Sequence, residues 1–290
     1  MRATNNISRA HLLVASVAAA TAVLGLCALA MSPGAARASQ NVSISAAFTP
    51  ERLGAPTTIS LGFEIQAAGA VLPSPLIGLN FSYPPNLGLA TSDLGTATCQ
   101  PAPLETFGVK VCPPNSRMGG GTALAKFRVG SEIYTENASL AIVAGPSRNG
   151  YVNMLIAATG LSPVKARILM STLLLPGHLR FTVPLVPSLP EGENVSVVTA
   201  HVTLGGNFTY YEHRHGKKVA FKPTGVVLPR QCPRGGFRFA ATFSFLDGSK
   251  AEARTVVACP ASRVNAPGSR RYASGEAATL PRARRRGPTN

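Results

Sequence analysis

The chain reads as an all-β protein, expected as an antiparallel β-sandwich of immunoglobulin-like or jelly-roll-like form, and three observations predict it. Short runs of strand-favouring residues recur from Asn41 onward, broken by Gly, Pro, Ser and Asn. Sustained 3.6-residue periodicity is almost absent, so no long helix is expected. Strands this short, numerous and evenly separated imply a sandwich or barrel, and the sandwich is the form expected here.

The first 38 residues carry the three parts of a secretory signal. Arg2 and Arg9 precede an apolar run over 12–31, and Ala36-Arg37-Ala38 supplies a small-residue cleavage site, so the mature chain is expected to begin at Ser39. The apolar run is long enough to stay as a membrane anchor, and the cleavage site favours removal. Arg2 and Arg9 are not adjacent, which leaves a twin-arginine route unsupported. Leu26 before Cys27 is too large for a lipid-attachment signal.

Candidate strands then follow at 41–48, 57–65, 76–83, 123–129, 138–144, 152–158, 164–170, 179–185, 195–204, 218–221 and 226–228. The second alternates clearly, with Ile59, Leu61 and Phe63 on one side and Ser60 and Gly62 on the other. The stretch 84–121 is the least strand-like, with a helical turn expected at 104–109. Its run Gly119-Gly120-Gly121 resembles a phosphate-binding loop only superficially. No GxxxxGK[ST] follows a strand and no helix follows the glycines, so they are expected to allow a bulge or a tight entry into the next strand.

The clearest segment is 232–260. Phe237, Phe239, Ala241, Phe243 and Phe245 fall at every second position and share a strand face, while Arg238, Ala240, Thr242 and Ser244 take the other. Asp247-Gly248 is expected to make a tight hairpin turn, and 251–258 the return strand. Removing the signal takes Cys27 away and leaves Cys99, Cys112, Cys232 and Cys259. An even number in an exported chain favours two disulfides. The two local pairs, Cys99 with Cys112 and Cys232 with Cys259, each bracket a turn-rich or hairpin segment. Loop closure then stabilises by about 3 to 4 kcal/mol per bridge. A zinc site is not expected, since no CxxC pair exists.

The organisation expected is a signal over 1–38, a β-sandwich domain over 39–262 and a disordered basic tail over 263–290. A short echo between CPPNSR at Cys112 and CPASR at Cys259 raises two related subdomains as the alternative to one continuous sandwich. The tail is Ser, Ala, Gly, Pro and Arg with Glu276 its single acid, too polar to bury a core. TLPRARRRG lacks the Thr-Gly of a wall-sorting signal, and no apolar segment follows it.

No stretch carries a catalytic or cofactor signature, and none of the residues is assigned to a metal. In 210–215, His213 and His215 share a strand face and could chelate a cation, but Arg214, Lys217 and Lys218 oppose it, so a solvated strand end is expected. No GxSxG elbow exists for a serine hydrolase. Asp93 and Asp247 are the only aspartates, and the pairs Glu132/Glu136 and Glu191/Glu193 lie in polar connecting segments rather than in a glycosidase arrangement. The formal charge of +16 is concentrated late in the chain. Candidate contacts to polyanions are Arg214, Lys217, Lys218, Arg282, Arg284, Arg285 and Arg286, with Lys222, Arg230, Arg234 and Arg238 nearby in sequence. An exported polycation meets anionic wall polymers or glycans. Specific nucleic-acid recognition is not expected, and membrane contact is expected only through the signal segment if it is uncleaved.

CPPNSRMG, VPLVPSLP, TYYEHRHGK and CPRGGFRFAATFSFLDGS resemble stretches of a group of uncharacterised secreted proteins of high-GC soil actinobacteria, over about residues 40–260. The resemblance brings no catalytic or binding residue. The function expected is an exported, non-enzymatic structural or adhesion protein of the envelope or medium. A binding module for anionic wall polymers or glycans is the alternative, and an uncharacterised hydrolase the third.

Overall fold

The computed structural model describes residues 40–67, 72–89, 94–186, 194–205 and 209–260. The expected signal and tail, with Arg282, Arg284, Arg285 and Arg286, lie outside the described residues. The elements are β1 (Gln40–Thr49), β2 (Pro56–Ala67), β3 (Leu76–Ser82), β4 (Gly88–Leu89), a short helix α1 (Pro101–Phe107), β5 (Arg117–Val129), β6 (Glu132–Arg148), β7 (Tyr151–Ser162), β8 (Arg167–Leu175), β9 (His178–Thr182), β10 (Ser196–Leu204), β11 (Tyr210–Arg214), β12 (Lys217–Phe221), β13 (Val226–Val227), β14 (Phe237–Phe245) and β15 (Lys250–Val257). The all-β antiparallel class is as expected, and so are both disulfides, Cys99–Cys112 and Cys232–Cys259, with Cα separations of 5.0 and 5.9 Å.

The sandwich gives way to a nearly closed barrel. One sheet runs β15-β14-β3-β9-β8-β7-β6-β5-β10-β2, with β1 paired to β2 and the short β13 and β4 extending from the start of β2. Its far end returns, so that β1 lies alongside β15. The cause lies in the connections: β5 to β9 form a meander in which each strand pairs with the next, and a twisted sheet of this breadth curls onto itself. All pairs are antiparallel, and the path from β15 to β1 holds an odd number of strands, so these two point the same way. No hydrogen-bonded ladder joins them among the described residues.

The interior is filled by side chains. Phe237, Phe239, Ala241, Phe243 and Phe245 of β14 are all buried, alternating with more exposed residues as the sequence predicts. Phe237 meets Phe48 of β1 edge-to-face at 5.1 Å, Phe243 meets Phe63 of β2 at 5.5 Å, and Phe239 lies 5.8 Å from Phe81 of β3. Leu140, Ile142, Met154 and Ile156 line the same core from β6 and β7.

A second, smaller core sits outside the barrel wall. Cys99, Leu104 and Cys112 pack onto Val143, Leu155 and Ala157, so β6 and β7 are buried on both faces where the stapled loop covers them. The helix begins at Pro101, earlier than the expected turn over 104–109, because Pro101 lacks an N–H that the first turn would not use. The glycine run lies inside β5. A Cβ at Gly119 or Gly121 would run into the carbonyl oxygens of Thr203 and His201, and a register shift between Arg117 and Gly119 marks the bulge.

Three local differences have physical causes. The expected strand at 164–170 starts only at Arg167, since the amide of Val164 donates to the Glu136 carboxylate instead of to a ladder. The expected strand at 179–185 closes at Thr182. The turn between β14 and β15 spans 246–249 rather than two residues: the Gly248 amide donates to the Phe245 carbonyl, the Asp247 carboxylate accepts from the Ser249 amide, and only Gly248 takes a positive φ.

Phe243→Ala should lower the free energy of unfolding by about 3–5 kcal/mol, measured by urea denaturation, since its ring is fully buried among three strands. Replacing Cys232 and Cys259 together by Ala should cost about 3–4 kcal/mol by the loop-closure relation for a separation of 27 residues. Unchanged melting of the double variant would show that this staple contributes nothing.

Candidate functional site

Among the described residues, the cationic side chains predicted from sequence to meet polyanions fall on the β11–β12 hairpin, which forms a two-stranded sheet of its own. Its turn is His215-Gly216, both at positive φ, the backbone that matches the twist of two antiparallel strands. Pleating puts Tyr210, Glu212, Arg214, Lys217, Val219 and Phe221 on one face and Tyr211, His213, Lys218 and Ala220 on the other.

One contact joins the two strands of the hairpin and a second ties it to the body. Tyr210 is buried, with its ring 5.0 Å from that of Phe221. Glu212 accepts from the Arg214 Nε and Nη2 at 3.0 and 2.9 Å and from Asn115 Nδ2 at 3.4 Å, which ties the hairpin to the turn following the Cys99–Cys112 loop. Lys218 Nζ stands 4.4 Å over the centre of the exposed Tyr211 ring, a cation–π contact. Lys217 and His213 are exposed.

The three described residues predicted to meet polyanions are therefore brought together but are not equivalent. Arg214 is engaged by Glu212, whereas Lys217 and Lys218 present their charge outward. Lys222, Arg230, Arg234 and Arg238 are also exposed. Among the described residues no group of three or more His, Cys, Asp or Glu is close enough to hold a metal ion, and His213 and His215 lie beside Arg214 and Lys217.

The Glu132/Glu136 pair is occupied locally. Glu136 accepts from the amides of Leu161, Ser162 and Val164 at 2.9, 2.9 and 2.7 Å, organising the end of β7 and the start of the β7–β8 loop around its carboxylate. Glu132 accepts from the Tyr134 hydroxyl at 2.8 Å. This bond, and then the negative charge of the carboxylate, raise the Tyr134 pKa above that of a free tyrosine. Glu191 and Glu193 lie outside the described residues.

A surface groove of 570 Å³ lies between the end of α1 and the β7–β8 loop, lined by Glu105, Thr106, Leu161, Lys165 and Arg167 among others. Arg167 shapes it, donating from Nη1 to the carbonyls of Glu105 and Thr106 at 2.8 Å each and so capping the negative end of the helix. Sequence reasoning did not find the groove, the Glu136 anchor or the Arg167 cap. Each depends on residues more than twenty positions apart, and no local pattern announces them. No helix among the described residues is long and apolar enough to cross a membrane.

Glu136→Ala should accelerate amide exchange at Leu161, Ser162 and Val164 and cost about 1–3 kcal/mol, because charge-assisted acceptors are lost from three donors at once. Glu132→Gln should lower the Tyr134 pKa, read as tyrosinate absorbance against the parent. A raised folded-state pKa contributes stability below the unfolded tyrosine value, and that contribution is lost as pH rises through the folded value, so the variant should show a weaker stability loss in strongly alkaline solution.

Comparison of the chain with family models, with curated proteins and with solved structures found no match.

Proposed function

We propose that the protein is an exported, non-enzymatic adhesion module of the cell envelope that holds anionic wall polymers or glycans on its β11–β12 hairpin. The observation that carries this reading is the hairpin itself: a separate sheet, tied to the body through Glu212 and Asn115, that displays Lys217, Lys218, His213 and Tyr211 to solvent. A two-stranded hairpin is marginal alone, so its anchoring to the stapled loop is what gives the charges a fixed geometry. Tyr211 adds an apolar ring that can stack on a sugar face, with Lys218 already seated against it.

Other features support the reading. The two disulfides fit an oxidising, extracytoplasmic environment. The barrel core is filled by aromatic and aliphatic side chains, and the carboxylates of the one described pair are engaged by their own loop and a neighbouring tyrosine. The Arg-rich tail from 263 extends the same cationic character.

Retention on a column of immobilised anionic wall polymer, with heparin as a second probe, tests the proposal. Lys217→Ala with Lys218→Ala should weaken binding by roughly tenfold and shift elution to lower salt, as expected when two exposed charges at up to about 1 kcal/mol each are lost. Elution of parent and variant at the same salt concentration would overturn the reading.

A further inference from the structure

Close to the groove beside α1, a set of large apolar side chains is left in water. Phe107, at the end of α1, is 67% exposed, Leu161 near the end of β7 and Val164 in the β7–β8 loop are 54% and 43% exposed, and Val111 in the turn after α1 is 48% exposed. They come from segments that the structure joins: Arg167 ties the β8 end of the loop to the last carbonyls of the helix, and the Val111 amide donates to the Gly108 carbonyl directly before the Cys112 staple. Phe107 is the most exposed large hydrophobic residue among those described. Large apolar groups left exposed on adjoining segments are the raw material of an interaction surface.

The charges around them say which partner fits. Lys110 and Lys165 are exposed on the same segments. Of the nearby acids, Glu136 has its carboxylate turned into the amides of the loop, which leaves Glu105 on the groove. Two copies of a chain with a formal charge of +16 would bring these lysines against each other, so self-association through this face is opposed. An aromatic prong flanked by aliphatic side chains and lysines has the layout of a group that enters the headgroup region of an anionic bilayer, with ammonium groups at the phosphates.

We infer that this face docks onto an anionic membrane surface, Phe107 and Leu161 entering the boundary between headgroups and acyl chains while Lys110 and Lys165 pair with lipid phosphates. The contact uses no residue of the hairpin and stands whether or not the hairpin holds wall polymers. Because the prongs sit on backbone fixed by a disulfide, by Leu104 buried in the outer core and by the Glu136 anchor, docking orders little chain.

The protein as recovered after export is floated with vesicles of phosphatidylglycerol and phosphatidylcholine, and separately with phosphatidylcholine alone. The parent should float with the anionic vesicles only. Phe107→Ser with Leu161→Ser should reduce the bound fraction by about tenfold with an unchanged melting curve, since both side chains are exposed in the folded protein. Lys110→Glu with Lys165→Glu should give a loss of similar size, while Lys217→Ala with Lys218→Ala should keep most of the binding. The proposal is overturned if the parent fails to float, if the Phe107/Leu161 variant floats like the parent, or if only the hairpin variant loses binding. It is equally overturned if sedimentation shows a dimer that the Phe107/Leu161 substitutions dissociate, or if the face captures an acidic protein but no vesicle.

Discussion

Phe237, Phe239, Phe243 and Phe245 all project from one side of β14, and water has to be kept from every one of them. Fully burying one such ring is worth about 1.5–3 kcal/mol, so the four together rival the whole margin of about 5–15 kcal/mol by which a domain is stable. A neighbour within a flat sheet covers such rings only from the flank, as Phe81 of β3 does. Cover from above has to come from elsewhere in the chain, and here it comes from the opposite end of the same sheet. The curl that brings Phe48 and Phe63 over β14 is the curl that closes the barrel. Interior burial and overall topology are thus one requirement met once.

Closure has a geometric cost at the seam. With neighbours alternating in direction and an odd number of strands, β1 and β15 approach as parallel strands without forming a ladder. Side chains hold what backbone pairing does not, since Phe48 of β1 reaches across to Phe237, while Cys232–Cys259 closes the open end of the β14–β15 hairpin. Each edge shields the other from pairing with a foreign strand, which is the hazard an open sheet would carry. The staple therefore lies beside the seam, within the β14–β15 hairpin, and not across it.

Much of this was legible in the residues, and the exceptions share a cause. Alternation within one segment is a local property, so the β14 face, the β2 face and both cysteine pairings could be read directly. Closure is a property of the whole sheet: the same strands could have split into two layers, and nothing in any one of them says that β1 meets β15. The double burial of Val143 and Leu155 was hidden for the same reason, because their outward faces are covered by a loop that looked coreless. At the candidate site, Arg214, Lys217 and Lys218 could be picked out by charge. That Glu212 engages Arg214 while leaving the two lysines outward could not, since it follows from pleat and register together.

That division of labour in the hairpin has a consequence for how its charge is used. Arg214 and Glu212 lie two residues apart on one face, and their pairing, joined by Asn115, removes a positive charge from the surface in return for fixing the strand against the stapled loop. An exposed ion pair of this kind contributes at most about 1 kcal/mol, so its value lies more in orientation than in stability. Lysines normally lose up to about 2 kcal/mol of side-chain freedom when immobilised. Lys218 has surrendered part of that freedom already by resting over Tyr211, so a ligand meeting it there recovers more of the electrostatic attraction as net affinity. In the proposed role, a cationic surface built this way would select a ligand by geometry as well as by sign.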